Sequence, residues 1–278
     1  MINQWNCFIK QSLTGIKGSR RGWGAAAALL IATLMIWQCL AFAAKSEEDV
    51  GEGEIKATQE VNVQASINLK RGVRLEKEGK WPEAIKAYQE ALRLEPRYAE
   101  ACHHLGLAFV HLQQYPQAVE ALKETVRLQP RWVAARENLG LALTKQGKWE
   151  EARVEFQEAV RLAPERVEPQ YLLGLTLGKL GRHQEAMEAF AKAVKLQPDS
   201  VKAHNNLAIS YIKLDRWQDA AKEFKKSLSL KKDDPEAHYG LCAYYVKMGD
   251  REAAAKEYQE LQRLDPKMAK KLADLLQK

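Results

Sequence analysis

Three histidines, His103, His104 and His111, are the first residues of this sequence that suggest chemistry. Imidazole nitrogen is a frequent zinc ligand, and a zinc site needs three or four protein ligands at compatible spacing. His103 and His111 could face the same side of a helix, but no third ligand of suitable spacing lies nearby. The histidines therefore do not predict a zinc site, and no other pattern predicts a metal or cofactor.

Nucleophilic catalysis has no stronger candidate. No serine, cysteine or carboxylate stands in a recognisable catalytic motif. Cys102 and Cys242 lie at apolar positions far apart in the chain, so we expect buried free thiols that do not pair. Such thiols are compatible with an oxidising compartment but are not diagnostic of one. We therefore expect a protein that is not an enzyme.

Cationic side chains that recur every thirty-four residues suggest binding instead of catalysis. Each lies four residues after an apolar side chain of the same period, so the two share one face of a helix. An apolar row beside a cationic row suits a partner segment with hydrophobic anchors and acidic flanks, either extended or helical. The apolar row is Val73, Leu107, Leu141, Leu175, Ile209 and Ala243, and the cationic row is Lys77, His111, Lys145, Lys179, Lys213 and Lys247.

A unit of thirty-four residues, clearest from Val133 to Arg166, must position these rows. Its first part has Leu139, Gly140 and Leu143 on one helix face, and Gly147 follows where a helix end favours a left-handed residue. This part is predicted to be one helix and its end.

A second helix follows in the same unit. Ala152, Phe156 and Ala159 mark its apolar face, and Pro164 ends it because proline lacks an N–H donor. Small and large residues alternate across the two faces, as closely packed helices require. The unit is therefore predicted to be a helix hairpin, whose free apolar face needs another hairpin to cover it.

The same pattern returns six times between Ala65 and Met268. Only the first unit departs from the leucine of the first helix, with Arg71 in its place. The large residue of the second helix recurs as Tyr88, Leu122, Phe156, Phe190, Phe224 and Tyr258, and the closing residue as Pro96, Pro130, Pro164, Pro198, Lys232 and Pro266.

This pattern resembles the tetratricopeptide repeat family, whose period and leucine-glycine, alanine, phenylalanine and proline signature recur over 204 of 278 residues. The resemblance implies an all-α fold, a right-handed superhelical solenoid of six helix hairpins with a C-terminal capping helix. One departure is the tryptophan that opens the family signature, which is replaced by Asn68, Cys102, Arg136, Gln170, His204 and His238.

In this family the first helices typically line a concave groove for peptides or proteins. The resemblance therefore implies a partner-binding groove on that side of the stack. Lysine is common at this position throughout the family and the apolar row could pack against the neighbouring helix, so a purely structural role for both rows stays open. The predicted groove residues are Val73, Lys77, His103, Leu107, His111, Leu141, Lys145, Tyr171, Leu175, Lys179, Asn205, Ile209, Lys213, Tyr239 and Lys247.

Lys202, Asn205, Asn206 and Lys213 resemble part of the clamp by which the family's chaperone-tail receptors hold a terminal carboxylate. The flanking repeats do not complete it, with glutamates in the lysine position. Because such a site needs several converging donors, we do not expect a carboxylate clamp.

Two further groups have a structural interpretation. Trp81, Trp149 and Trp217 start second helices, with Tyr115 in phase, and we expect them to pack within the hairpins. His204 and His238 occupy equivalent positions, and we expect partly buried helix contacts.

Residues 1–44 carry four basic side chains and no acid, and 22–44 have no charge at all. This pattern predicts a signal peptide or a membrane anchor, and both remain open. Ala41-Phe42-Ala43 fits the small-x-small rule for cleavage, whereas about 20 apolar residues suffice to cross a bilayer uncleaved. In either case the basic flank stays in the cytoplasm and the repeats are exported.

The remaining chain is predicted to contain a flexible acidic linker, the repeats and a cap. The last ten residues of the linker could instead extend the first helix. The predicted boundaries are 45–64 for the linker, 65–98, 99–132, 133–166, 167–200, 201–234 and 235–268 for the repeats, and 269–278 for the capping helix.

The formal charge of +7 does not indicate a nucleic-acid partner. Four of the 43 basic residues and none of the 36 acidic residues lie in 1–44, which leaves 39 minus 36, or +3, on the remainder.

Together these features predict a scaffold or adaptor in the cell envelope of a bacterium, on the periplasmic or extracytoplasmic face of the inner membrane. Its partner would be an unidentified protein or peptide, and membrane contact would occur only through an uncleaved N-terminal segment. The alternative is an accessory subunit that positions substrates for an envelope enzyme or glycosyltransferase machine, as repeats of this family often do.

Overall fold

The computed structural model describes residues 60–276, and all regular secondary structure in that range is helical. The predicted signal or anchor and most of the predicted linker lie outside the described residues. None of the described helices is long and apolar enough to span a bilayer. The thirteen helices of this range are α1 (60–77), α2 (Trp81–Leu94), α3 (Ala99–His111), α4 (Tyr115–Leu128), α5 (Val133–Lys145), α6 (Trp149–Leu162), α7 (Val167–Lys179), α8 (His183–Leu196), α9 (Val201–Lys213), α10 (Trp217–Leu230), α11 (Pro235–Met248), α12 (Arg251–Leu264) and α13 (Pro266–Leu276).

The helices form a solenoid of hairpins. Each packs against the next along the chain, and α1 to α12 make up six pairs. In addition α3 contacts α5, α7 contacts α9, and α9 contacts α11, whereas the second helices of the described range make no comparable contacts with one another. The first helices therefore lie closer together, which makes theirs the concave side. The all-α solenoid predicted from the repeat is confirmed.

Within a hairpin, a large side chain of the second helix lies on a glycine of the first. Phe156 is fully buried and so close to Gly140 that an added Cβ would lie 2.5 Å from its ring. Phe190 covers Gly174 in the same way. Gly147 ends α5 with φ +74°, the left-handed conformation expected there. The alternation of small and large residues thus sets the distance between the two helices.

The first hairpin carries charges on the face that other hairpins bury. Ala101 and Ala135 are fully buried in their units, whereas Ile67, which is in phase with them, is 50% exposed. Arg71 and Arg74 occupy the positions of a leucine and an alanine that α5 buries. With the departure from the repeat at Arg71, this face of α1 lacks the apolar surface on which hairpins of the repeat pack.

Helix α13 covers the other end. Asp265 Oδ1 accepts hydrogen bonds from the backbone N–H groups of Lys267 and Met268 and so starts the helix. Ala269 and Leu272 are buried against the last hairpin. Because of this cap, α13 begins three residues before its predicted start.

The end of the predicted linker overlaps α1. Residues 60–64 are helical, because no proline or glycine separates them from the rest of α1. This is the extension of the first helix that the sequence left open.

Candidate partner-binding groove

The apolar and cationic rows lie at the surface of the first helices. Leu141, Leu175 and Ile209, in the middle of the apolar row, are 38%, 37% and 44% exposed. The other members of that row, Val73, Leu107 and Ala243, are half-buried, and all six members of the cationic row are exposed. The middle units therefore present an apolar strip next to a cationic one.

The lysines of the cationic row have no ion-pair partner in the described part of the chain. No carboxylate oxygen from that part lies within 4 Å of Lys145, Lys179 or Lys213. Second helices differ in part, since several of their arginines pair with a glutamate one turn away, as in the 2.6 Å contact between Arg161 and Glu158. Part of the charge of the outer surface is thus neutralised by short ion pairs, while the lysines of the cationic row have no carboxylate partner among the described residues.

Aromatic side chains at the start of second helices contact members of the cationic row in the following unit. The ring of His111 stacks on Trp81 with 3.9 Å between their centroids. Lys247 Nζ lies 5.6 Å from the centre of the Trp217 ring, within the range of a cation–π interaction. These half-buried tryptophans therefore also orient groove residues.

Four predicted groove residues form a third row, nearer the start of the first helices. Tyr171 and Tyr239 are half-buried, whereas His103 and Asn205 are buried, so these two side chains contribute little surface to the predicted groove. Glu137 belongs to the same row and is also buried. The sequence analysis missed Glu137, although its spacing of thirty-four residues from His103 and Tyr171 would have revealed it.

Polar contacts with the loop that leads to the next unit bury the third row. Asn205 Nδ2 donates to Asp234 Oδ2 over 2.6 Å, and Asp234 accepts from the Ala237 N–H at the start of α11. Glu137 lies 3.2 Å from Arg166. Burial raises the pKa of the Glu137 carboxyl, and Arg166 opposes that shift. These side chains hold adjacent units together, so they do not offer a free binding surface.

The fragment that resembles a carboxylate clamp is occupied by protein groups. Asn206 Nδ2 donates to Tyr171 Oη over 3.1 Å and to the Lys202 carbonyl over 2.9 Å. Glu236 Oε2 lies 3.3 Å from Asn205 Nδ2, so an incoming carboxylate would meet a negative charge. The described residues do not assemble a clamp.

The three clustered histidines each have a different environment. His103 Nε2 accepts a hydrogen bond from Asn138 Nδ2 over 3.0 Å. Burial, with a smaller effect of His104, lowers the pKa of His103 to about 4. His104 Nδ1 lies 3.2 Å from Glu76 Oε2, while His111 stacks on a tryptophan. Within residues 60–276, no three candidate metal ligands come together.

His204 and His238 are buried helix contacts. His204 Nδ1 lies 2.6 Å from Glu223 Oε2, and its Nε2 lies 3.0 Å from the Pro198 carbonyl. His238 makes the equivalent contacts, and so does the guanidinium of Arg136. A polar bridge from loop to second helix therefore replaces the signature tryptophan in three units.

The two cysteines of the described range are buried free thiols, as the sequence predicts. Burial raises the pKa of Cys102 to about 11, so this thiol has little thiolate character near neutral pH.

A cavity of about 280 Å³ opens in the groove between α7 and α9. Leu175 and Ile209 of the apolar row line it, as do Lys179 and Lys213 of the cationic row. Gly178 also borders it and contributes no side chain. The cavity therefore combines largely apolar walls with two cations, and the polar side chains of His183, Asn206 and Ser210 also contribute to its lining.

A larger cavity, of about 640 Å³, lies at the C-terminal end between α11, α12 and α13. Cys242, Tyr258 and Ala273 are among its lining residues. Among the described residues that line it, none belongs to the cationic row and Arg251 alone is cationic.

Sequence comparison identifies repeats along the described chain. A family described as TPR repeat matches residues 74–113. Two families described as tetratricopeptide repeat match 103–167 with 171–238, and 213–278. A search of curated proteins found no match.

Solved structures with the same architecture cover most of the chain. A MamA structure, residues 41 to the end, from Desulfovibrio magneticus RS-1 is 27% identical, with a TM-score of 0.58 over 62% of this chain and 97% of that one. PilF of Pseudomonas aeruginosa is 21% identical, with a TM-score of 0.62 over 77% and 98%. YrrB, described as a TPR protein with an unusual peptide-binding site, is 18% identical, with a TM-score of 0.60 over 68% and 99%. These similarities identify the fold.

Proposed function

The chain belongs to the tetratricopeptide repeat family, and on that premise we propose that it is a non-catalytic scaffold that binds a protein or peptide segment. The binding site is the groove lined by α5, α7 and α9, where the apolar row is most exposed. The partner segment carries apolar anchors and acidic flanks, and nucleic acid is not the ligand.

The uncompensated charge of the groove carries this proposal. Exposed lysines without carboxylate partners lie next to exposed leucine and isoleucine. This surface suits a segment that supplies carboxylates for the lysines and apolar side chains for the leucine and isoleucine. Several arginines of second helices already pair with glutamates of the same helix, so that surface suits the proposed segment less well. Exposure of the apolar row also argues against a role confined to helix packing.

The N-terminal sequence supports a place in the cell envelope, with the repeats on the extracytoplasmic face. A basic flank followed by about 20 apolar residues is typical of exported or anchored proteins. Membrane contact then involves that segment alone. Crosslinking in intact envelopes, followed by mass spectrometry, tests this placement and identifies the partner. A transferase as the crosslinked partner would favour the accessory-subunit alternative.

Charge reversal in the groove tests the proposed site. Lys145→Glu, Lys179→Glu and Lys213→Glu together should weaken capture of the crosslinked partner about tenfold or more, because attraction becomes repulsion. The salt dependence of binding should become flatter. Helicity should not change, because all three lysines are exposed.

A matched control changes the net charge equally on second helices. Lys86→Glu, Lys192→Glu and Lys226→Glu alter exposed side chains of α2, α8 and α10. This variant should bind like the unmodified chain. Equal loss from both variants, or loss only from the control, would reject the groove as the binding site.

A further inference from the structure

Among the glycines of the described helices, Gly178 is the one for which the fold supplies no reason. Gly140 and Gly240 lie so close to a phenylalanine ring that no side chain fits, and Gly147 and Gly181 have left-handed backbones. A Cβ added at Gly178 would meet nothing within 4 Å. Glycine inside a helix is less favourable than alanine because it loses more conformational freedom on folding. Packing therefore does not explain the missing side chain.

Every other unit carries a side chain at the equivalent position. These residues are Glu76, Val110, Thr144, Ile212 and Val246. In α7 the absence of a side chain coincides with the cavity of about 280 Å³. Because an apolar cavity of about 150 Å³ already admits benzene, this one has room for a side chain as large as leucine or phenylalanine.

The surroundings of the cavity indicate what enters it. Leu175 and Ile209 provide apolar walls, and the buried ring of Phe190 also lines it. Lys179 and Lys213 line it too, and both are exposed without a carboxylate partner among the described residues. A large apolar side chain with a carboxylate next to it complements both features.

We propose that Gly178 is a specificity-determining residue, which keeps open an anchor pocket for one large apolar side chain of an acidic partner segment. The inference rests on the proposed function and adds to it a preferred position in the groove and a preferred kind of residue. A side chain at position 178 would occupy the space that the partner needs.

A defined peptide set tests the pocket. The probes are fluorescein-labelled peptides in which one central alanine, leucine or phenylalanine stands between two pairs of acidic residues, and binding to the full chain in detergent is followed by fluorescence anisotropy. The leucine or phenylalanine peptide should bind at least tenfold more tightly than the alanine peptide. In Gly178→Val this preference should fall below twofold, while the affinity for the alanine peptide stays within twofold.

Two variants control for folding and position. Gly178→Ala should melt no lower than the unmodified chain, since the new methyl group meets open space. Thr144→Val changes the equivalent position of α5 and should keep the preference.

The outcomes separate the two proposals. Binding without any preference for a large central residue, or a preference that survives Gly178→Val, would overturn the pocket while the groove stands. Absence of salt-dependent binding by every peptide would overturn both.

Discussion

Leu272→Ala should weaken the C-terminal end of the solenoid while leaving the rest intact. Leu272 is 2% exposed and packs in one cluster with Leu261 and Cys242. Truncation of a buried leucine to alanine costs about 2–5 kcal/mol. Because α13 packs on one side only and can shift to fill the space, we expect the lower part of that range, about 2–3 kcal/mol.

Hydrogen exchange measured along the chain would locate the effect. Each unit contacts only its neighbours, so exchange should accelerate in α11, α12 and α13 and stay unchanged in α3 to α6. In urea titrations, the hairpins that unfold last should keep the same midpoint concentration of urea. Lys271→Ala, on the exposed side of the same helix, is the matched control and should have little effect.

Unchanged exchange in α11 and α12 would refute the role of α13 as a cap. Faster hydrogen exchange in all hairpins alike would refute the assumption that each unit depends only on its neighbours. It would mean that the solenoid unfolds as one cooperative block. Removal of Met268 to Lys278 should give the larger effect of the same kind, with lower solubility.

Two other predictions concern single features of the N-terminal half. The pKa of His103 is about 4, below its ordinary value near 6.5, so the unfolded chain takes up the proton first. The free energy of unfolding should therefore fall by about 2.5 kcal/mol as pH drops from 6.5 to 4. His103→Gln should flatten this dependence in urea titrations, and an identical pH profile would contradict the prediction. Arg71→Leu combined with Arg74→Ala should give the first hairpin an apolar end face. We expect this variant to associate with rising concentration in sedimentation velocity. A monomer at all concentrations would show that these arginines do not prevent stacking at this end.

The hairpins could be predicted because their determinants are local. The pairing of Phe156 with Gly140 follows from two helical faces within one unit, and Gly147 marks its own turn by its backbone conformation. The exposure of Lys145 and Leu141 follows from the same periodicity, since each lies on the face that no neighbouring helix covers.

The third row could not be predicted in the same way. Asn205 is buried through Asp234, which belongs to the next loop, and His103 bonds to Asn138 in the next first helix. Such contacts depend on which residues adjacent units bring to the boundary. The role proposed for Gly178 cannot be predicted from the sequence for a different reason, since it depends on the empty space beside this residue.

The two ends of the stack are closed by features of the terminal units alone, arginines in α1 and the added helix α13. The middle hairpins use one common set of faces towards their neighbours. An in-frame duplication or loss of one middle repeat would therefore change the length of the groove by about 10 Å, one helix diameter, without uncovering either end. Each such event would add or remove one apolar and one cationic side chain together. Evolution can in this way fit the groove to partner segments of different length while the packing contacts between hairpins stay the same.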